Sequence, residues 1–188
     1  MAADRKKAEG CGIIHVSDVA SLAWCQCKAL AVLNGDYEPP ETDEMAKGRQ
    51  IHEQLGFNNQ QAYRMPFGDF ILEGTPDKVG DFYIAELKVT RGRYPLNYLL
   101  AYAHVQANLY AMLADKPLYV VVVYNVETGE KMYFPEKADV FRAQRDLALA
   151  YALMSGVLKP IPTREPWKCR SCGYTKCVFR LAEYEAGK

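Results

Sequence analysis

Gly74-Thr75-Pro76-Asp77-Lys78-Val79-Gly80-Asp81-Phe82-Tyr83-Ile84-Ala85-Glu86-Leu87-Lys88-Val89 places two carboxylates and a lysine around one predicted strand. Residues 83–89 have the alternating, β-rich character of a strand. Side chains alternate between the two faces of a strand, so Glu86 and Lys88 project together. Asp77 follows an earlier apolar run. If that segment pairs with the strand, the two carboxylates and the amine meet at one place.

Such a grouping has a defined chemistry. Two carboxylates bind a hard divalent cation through oxygen, and a nearby ammonium group stabilises charge that develops on a phosphate. The stretch therefore indicates a phosphodiesterase centre with Asp77, Glu86 and Lys88 as its catalytic residues. The alternative from this stretch alone is surface charge on a hairpin.

Composition sets limits on the class of protein. The chain has 188 residues, of which 49% are hydrophobic, which predicts one domain with an appendage and a proper core. The formal net charge is zero, so nucleic-acid binding requires a local basic surface. No apolar run reaches the ~20 residues of a membrane span, and the first residues lack a signal-peptide core. We expect a cytoplasmic protein that does not bind membranes, whose six cysteines are not a disulfide set.

The rest of the chain predicts a mixed α/β protein. A first helix is expected from Ser17-Asp18 to about Asn34-Gly35, with the cysteines at positions 25 and 27 inside it. Further helices are expected at residues 44–55, 95–114 and 138–155, and strands at 118–125 and 131–134, besides two or three within 62–92. The predicted division is a helical region (1–57), a core (58–158) and a cysteine segment (159–188).

Three thiols lie close together near the end of the chain, as Cys169-x2-Cys172-x4-Cys177. This spacing strongly indicates a metal or cluster site. Three ligands leave a tetrahedral centre one short, and Cys25 or Cys27 is the expected fourth. Four thiolates suit zinc or an iron–sulfur cluster, and the spacing alone slightly favours zinc. Either centre would join the first helix to the C-terminal segment.

Taken in order, these features resemble the RecB-type branch of the PD-(D/E)XK nucleases, and more narrowly the CRISPR-associated RecB-like iron–sulfur exonucleases. The resemblance runs from Cys25 to Cys177. It rests on six motifs in one order: Trp24-Cys25, Gly48-x3-His52, Gly74-x2-Asp77, Glu86-x-Lys88, Gln106-x3-Tyr110 and the three C-terminal cysteines. In that family Pro-Arg commonly follows the first cysteine, whereas this chain has Gln26-Cys27, so Cys27 remains an alternative ligand.

The resemblance implies roles for individual residues. From the sequence alone, a histidine on the apolar face of a helix is more often a packed core residue than a ligand. The resemblance instead implies that His52 is a ligand of Mn²⁺ or Mg²⁺. The resemblance adds Asp77, Glu86 and the Val89 carbonyl as further ligands of that cation. It implies that Lys88 assists the attacking water. The remaining implied assignments are nucleic-acid positioning by Gln106 and Tyr110, and a [4Fe-4S] or [2Fe-2S] cluster on Cys25, Cys169, Cys172 and Cys177.

The resemblance also implies a function. We expect a restriction-endonuclease-like core that hydrolyses single-stranded DNA ends from 5′ to 3′ during CRISPR spacer acquisition, beside the CRISPR integrase proteins. The alternatives are an iron–sulfur nuclease subunit of DNA repair and a non-catalytic, zinc-stabilised DNA-binding protein. Basic side chains near the predicted site are candidate DNA contacts: Lys47, Arg49, Arg64, Arg91, Arg93 and Lys168.

Overall fold

The computed structural model describes residues 12–91 and 96–180. Along those ranges the elements are β1 (Gly12–His15), α1 (Val16–Ala20), α2 (Gln26–Leu33), α3 (Asp43–Gln54), β2 (Tyr63–Phe67), β3 (Phe70–Gly74), β4 (Lys78–Val79), β5 (Tyr83–Thr90), α4 (Leu96–Leu113), β6 (Leu118–Asn125), β7 (Lys131–Lys137), α5 (Val140–Met154) and α6 (Pro166–Arg170). A short 3-10 turn, Ser21–Ala23, separates α1 from α2. No helix in these ranges has the length and apolar character needed to span a membrane.

The strands form two sheets. In the first the order is β1-β3-β2, with β1 parallel and β2 antiparallel to β3. In the second the order is β4-β5-β6-β7, and β5 and β6 are its parallel pair. Parallel neighbours require a crossover connection, and α4 is the helix in that crossover. The crossover places α4 against β5, where the residues of the predicted centre lie.

The core lies between the second sheet and the helices α1, α4 and α5. The run Val121–Val123 is buried at every position, as expected for a strand covered on both faces. α4 buries Ala103, Ala107 and Leu109 in the same cluster. Each fully buried Val or Leu contributes about 1.5–3 kcal/mol to the free energy of unfolding, so this core fixes the strand that carries the candidate site.

The structure confirms most predicted elements to within a few residues, but the first helix is wrong. In its place the chain forms α1, the 3-10 turn and α2, and Cys25 precedes α2 in an extended conformation with φ −164° and ψ 117°. Cys25 therefore lies outside a helix. The strand β1 was not predicted either. It pairs with β3, in which Ile71 and Leu72 are the partners of Ile13 and Ile14. The division at residues 57/58 and 158/159 stays a prediction.

Candidate active site and cysteine cluster

β5 carries Glu86 and Lys88 on one face, as the alternation of the strand predicts. The Glu86 side chain is only 2% exposed. Lys88 Nζ donates to Glu86 Oε1 at 2.6 Å and to Gln106 Oε1 at 2.7 Å. The ammonium group is therefore held between the strand and α4, with two of its hydrogen bonds made to neighbours in the protein.

Asp77 lies between β3 and β4, and its carboxylate reaches both the strand and α3. Its Oδ2 accepts a hydrogen bond from the backbone N–H of Leu87 at 2.8 Å. Its Oδ1 lies 3.2 Å from Nδ1 of His52, which α3 brings to this point. Asp77 thus lies beside the strand that carries Glu86 and Lys88, with His52 in contact, but the expected strand pairing is wrong. The apolar run before Asp77, in β3, pairs with β1 and β2, and the strand that pairs antiparallel with β5 is the short β4 after Asp77.

One oxygen of this group stands out by its surroundings. Glu86 Oε2 is buried and has no hydrogen-bond partner among the described residues. A buried carboxylate oxygen without a partner costs free energy, which a cation or proton at that atom removes. Carboxylate oxygens and an imidazole are donors that suit Mn²⁺ or Mg²⁺, so the residues fit the implied metal. Within residues 12–91 and 96–180, no three such side chains already stand as a complete ligand group.

Burial controls the charge of the pair. Burial raises the pKa of Glu86 to about 7; the Lys88 ammonium opposes that rise, and the Asp77 carboxylate adds to it. Burial by itself would lower the pKa of Lys88, but the Glu86 carboxylate, helped by Tyr102 and Asp77, holds it above its usual value. Lys88 is therefore cationic at neutral pH, whereas Glu86 changes charge near neutrality.

Gln106 and Tyr110 lie one turn apart on α4 and are both buried. Gln106 Nε2 donates to the Tyr110 hydroxyl at 3.1 Å, which orients the amide oxygen toward Lys88. The Tyr110 ring in turn packs against Gly74, where an added Cβ would lie 2.5 Å from Tyr110 Cε1 and 2.8 Å from Val16 Cγ2. Close packing explains the glycine three residues before Asp77.

Tyr102 is a site residue that the sequence reasoning missed. It lies one turn before Gln106 on α4, and Lys88 Nζ lies over its ring, 4.9 Å from the centroid. Burial raises the pKa of its hydroxyl. The helical spacing of Tyr102, Gln106 and Tyr110 was the available signal, because i, i+4 and i+8 share a helix face. It was missed because, from the sequence alone, Tyr102 looks like one more apolar position of a buried helix.

A groove of about 990 Å³ opens beside this centre. Val89 and Tyr102 line it at the end nearest Lys88, and Trp24 lines it among the N-terminal helices. Basic and acidic side chains line it in equal number. The basic residues are Lys28, Lys47 and Arg91, and the acidic residues are Asp18, Glu38 and Glu44. The groove is therefore aromatic and of balanced charge.

The basic candidates separate into different environments. Lys47 and Arg91 line the groove. Arg49 pairs with Glu41, and Arg64 pairs with Glu73. Arg93 lies outside the described residues. Lys168 is only 5% exposed, so the expectation that it lies on a DNA-facing surface is wrong.

The cysteines meet at a second place. Cys25, Cys169, Cys172 and Cys177 all line one small cavity of about 20 Å³. None of the described cysteines forms a disulfide. Four thiols around one cavity are a donor set that fits zinc or an iron–sulfur cluster. The cavity thus brings together the four cysteines that the resemblance selects, although in the described part of the chain no three His, Cys, Asp or Glu side chains already form a metal-binding group.

Cys27 lies beside these four cysteines. It is buried and does not line the cavity. Burial, reinforced by the neighbouring Cys25 and Cys177, raises the pKa of its thiol to about 12. Its side chain also hydrogen-bonds with those of Cys25 and Cys177, so Cys27 stays an alternative to Cys25 as the fourth ligand.

Comparison with known proteins bears on the fold. No protein-family model matches the chain, and no curated protein matches it. The crystal structure of SSO0001 is similar with a TM-score of 0.55 and 18% sequence identity, covering 94% of this chain and 88% of that one. The alkaline exonuclease LHK-Exo from Laribacter hongkongensis is similar with a TM-score of 0.51 and 10% identity, covering 77% and 88%. The chain shares a mixed α/β fold with this alkaline exonuclease, and the expected mixed α/β class is confirmed.

Proposed function

We propose that the protein is a metal-dependent exonuclease that hydrolyses single-stranded DNA ends, from 5′ to 3′. The observation that carries the proposal is the buried Glu86–Lys88 pair, with one carboxylate oxygen unpartnered and Asp77 and His52 beside it. A buried cluster of this composition suits cation binding next to a phosphodiester far better than it suits a hydrophobic core. The shared fold with an alkaline exonuclease supports the same class of reaction.

His52, Asp77 and Glu86 would hold Mn²⁺ or Mg²⁺, with the Val89 carbonyl as a further ligand. The cation would supply Lewis acidity toward a phosphate oxygen and a bound water. The protein contributes preorganisation: the Leu87 N–H fixes the Asp77 carboxylate before any substrate arrives. The buried Glu86 is shielded from water, which strengthens its electrostatic interactions.

Lys88 places a positive charge at the same point. Its ammonium is held by Glu86 and Gln106, so little conformational freedom is lost when it approaches a phosphoryl oxygen. Gln106 and Tyr110 position Lys88 and, through it, the nucleic-acid strand. The geometry thus supports roles for this pair as positioning residues that act through Lys88.

The groove supports a single strand as the substrate. Aromatic side chains are part of its lining, and such a lining suits a single strand because every base can stack on an aromatic ring regardless of sequence. Lys47 and Arg91 would contact phosphates. Balanced charge implies that affinity depends less on salt than for a strongly basic groove.

The cysteine cavity would hold an iron–sulfur centre on Cys25, Cys169, Cys172 and Cys177, a [4Fe-4S] cluster in preference to a [2Fe-2S] cluster. By the sequence resemblance, the enzyme acts in the cytoplasm during CRISPR spacer acquisition, trimming DNA beside the CRISPR integrase proteins. The cavity lies at the junction of the first helices and the C-terminal segment, which supports a structural role for the centre.

The proposal is tested by a cleavage assay on single strands labelled at either end, with Mn²⁺, Mg²⁺ or EDTA, using anaerobically purified protein. We expect cation-dependent loss of nucleotides from the 5′ end, and at least about 100-fold slower cleavage by Asp77→Asn, Glu86→Gln or Lys88→Met. Full activity in any folded variant of these three would overturn the active-site assignment. A colourless, zinc-containing protein that cleaves nothing would identify the non-catalytic alternative.

A further inference from the structure

Lys168 is a buried lysine in an unusual setting. It follows Trp167 in α6 and is only 5% exposed, although lysine side chains are almost never fully buried without a partner. It forms no ion pair with a carboxylate in the described part of the chain. A cation in this position has a high desolvation cost, so its surroundings must compensate for the charge.

Three aromatic rings form a cage around the ammonium. Lys168 Nζ lies 4.3 Å from the ring centroid of Tyr98, 4.5 Å from that of Trp24 and 5.8 Å from that of Trp167. It also donates to the Trp24 carbonyl at 3.4 Å. Glu165 bonds to Trp167 Nε1 at the rim of the cage. Cation–π contacts offset part of the desolvation cost.

The cage adjoins the cysteine cavity, because its residues Trp24 and Lys168 also line that cavity. Lys168 lines that cavity together with Cys25, Cys169, Cys172 and Cys177. Lys28 and Arg180 line it as well, and no Asp or Glu is among the described residues that do so. Arg180 is fixed there by a hydrogen bond from Nη1 to the Cys172 carbonyl at 2.5 Å. Three cationic side chains and four thiols therefore share one small cavity.

The charges of the two groups are complementary. A divalent metal or an iron–sulfur cluster held by four thiolates keeps a net negative charge. Nearby positive charge stabilises that negative charge, because water screens it less in a partly buried site than in open solvent. Lys168 is the most buried of the three cations.

We propose that Lys168 supplies the buried counter-charge that stabilises a four-thiolate metal centre on Cys25, Cys169, Cys172 and Cys177, with Lys28 and Arg180 completing a cationic wall. This inference rests on the metal centre of the proposed function and is independent of the nuclease chemistry. The cationic wall favours the metal-loaded protein over the metal-free one, because only the loaded centre places a net negative charge beside the three cations.

The test uses the full chain, reduced and metal-free, with Co²⁺ as the probe, because thiolate-bound Co²⁺ has a distinctive absorption. Lys168→Met keeps the length and apolar surface of the side chain and removes its charge. Lys176→Met is the matched control, since Lys176 is an exposed lysine of the same cysteine segment. We expect Lys168→Met to bind Co²⁺ about tenfold or more weakly, and Lys176→Met to bind as the wild type does.

Thermal unfolding separates the counter-charge from a merely structural role. The Lys168→Met change should lower the midpoint of the Co²⁺-loaded protein more than that of the metal-free protein, because only the loaded form loses the attraction between the ammonium and the metal centre. Equal losses in both forms, or unaltered Co²⁺ affinity in folded Lys168→Met, would overturn the proposal. If Lys168→Met does not fold, Co²⁺ binding by the double variant Lys28→Met/Arg180→Met tests the proposal instead. Weakened Co²⁺ binding supports the cationic wall, and unaltered binding refutes it.

A Cys172→Ser variant shows whether a negative result concerns only the role of Lys168 or the four-cysteine metal centre itself. If the Co²⁺ absorption spectrum of the wild type is the same as that of Cys172→Ser, the cysteines do not form the metal centre, and this inference fails with it. That result would leave the cluster of Asp77, Glu86 and Lys88 untouched, since the cleavage assay tests it separately.

Discussion

The Lys88 ammonium lies 2.7 Å from Oε1 of Gln106, and Gln106 in turn is oriented by the Tyr110 hydroxyl. The amide thus fixes where the charge of Lys88 points. Gln106→Ala should lower kcat about 10- to 100-fold with little change in KM, because the lysine is misplaced while the strand still binds. Steady-state kinetics on a labelled single strand measure both constants.

Gln144 provides the matched control for that variant, since it is an exposed glutamine on α5. Gln144→Ala should cleave at the wild-type rate. A Gln106→Ala effect confined to KM would show that Gln106 binds the substrate directly and does not act through Lys88.

The ring of Tyr102 lies beneath the same ammonium. Tyr102→Leu should lower kcat about tenfold, because a desolvated cation–π contact is worth up to about 2 kcal/mol. Tyr102→Phe keeps the ring and should retain nearly full activity. If Tyr102→Phe loses as much activity as Tyr102→Leu, the hydroxyl group and not the ring is the part that acts.

Burial of Glu86 links the stability of the metal-free protein to pH. The pKa of Glu86 is raised from 4.5 to about 7, so the folded state binds more protons than the unfolded state between these values. The stabilisation from this group is therefore full below pH ~4.5 and is lost as pH rises toward ~7. The free energy of unfolding falls by about 3 kcal/mol over this range, because one pKa unit corresponds to about 1.36 kcal/mol.

Chemical denaturation across this pH range, in the presence of EDTA, measures the effect. Subtracting the Glu86→Gln curve from the wild-type curve should leave a free energy of unfolding that falls with rising pH. Glu53→Gln, on the exposed face of α3, should leave the wild-type slope unaltered. Parallel curves for wild type and Glu86→Gln would show that Glu86 does not titrate in this window.

Two glycines should respond in opposite ways to the same substitution. An alanine Cβ at Gly74 would lie 2.5 Å from the Tyr110 ring, so Gly74→Ala should destabilise the protein by about 1–3 kcal/mol. At Gly48, in α3, the Cβ would meet nothing within 4 Å, and Gly48→Ala should stabilise the helix by up to about 1 kcal/mol. Urea unfolding of both variants checks the signs. Equal effects would remove the packing explanation for Gly74.

Patterns within single strands and helices were sufficient to predict much of the candidate site. Alternation along one strand predicted that Glu86 and Lys88 share a face, and helical spacing predicted that Gln106 neighbours Tyr110. Both patterns depend only on geometry within a single element. The spacing of Cys169, Cys172 and Cys177 was similarly local, and the structure gathers their side chains at one cavity.

Features that depend on distant partners could not be predicted. Lys168 reads as a surface lysine, because the rings that bury it, from Trp24 and Tyr98, lie far away in the sequence. The extended conformation of Cys25 interrupts a helical pattern, because tertiary packing outweighs a weak local propensity. β1 was missed for a related reason: a short parallel strand is stabilised by β3 and not by its own sequence.

Trp24 and Lys168, in contact at the cysteine cavity, stand 144 positions apart in the chain. The segment that completes the cavity is thus synthesised long after the segment that begins it. Contacts between segments so far apart in the sequence form slowly during folding. If the cysteines hold the proposed centre, it can be loaded only after the C-terminal segment has been made, and molecules without it would have a C-terminal segment more open to proteolysis.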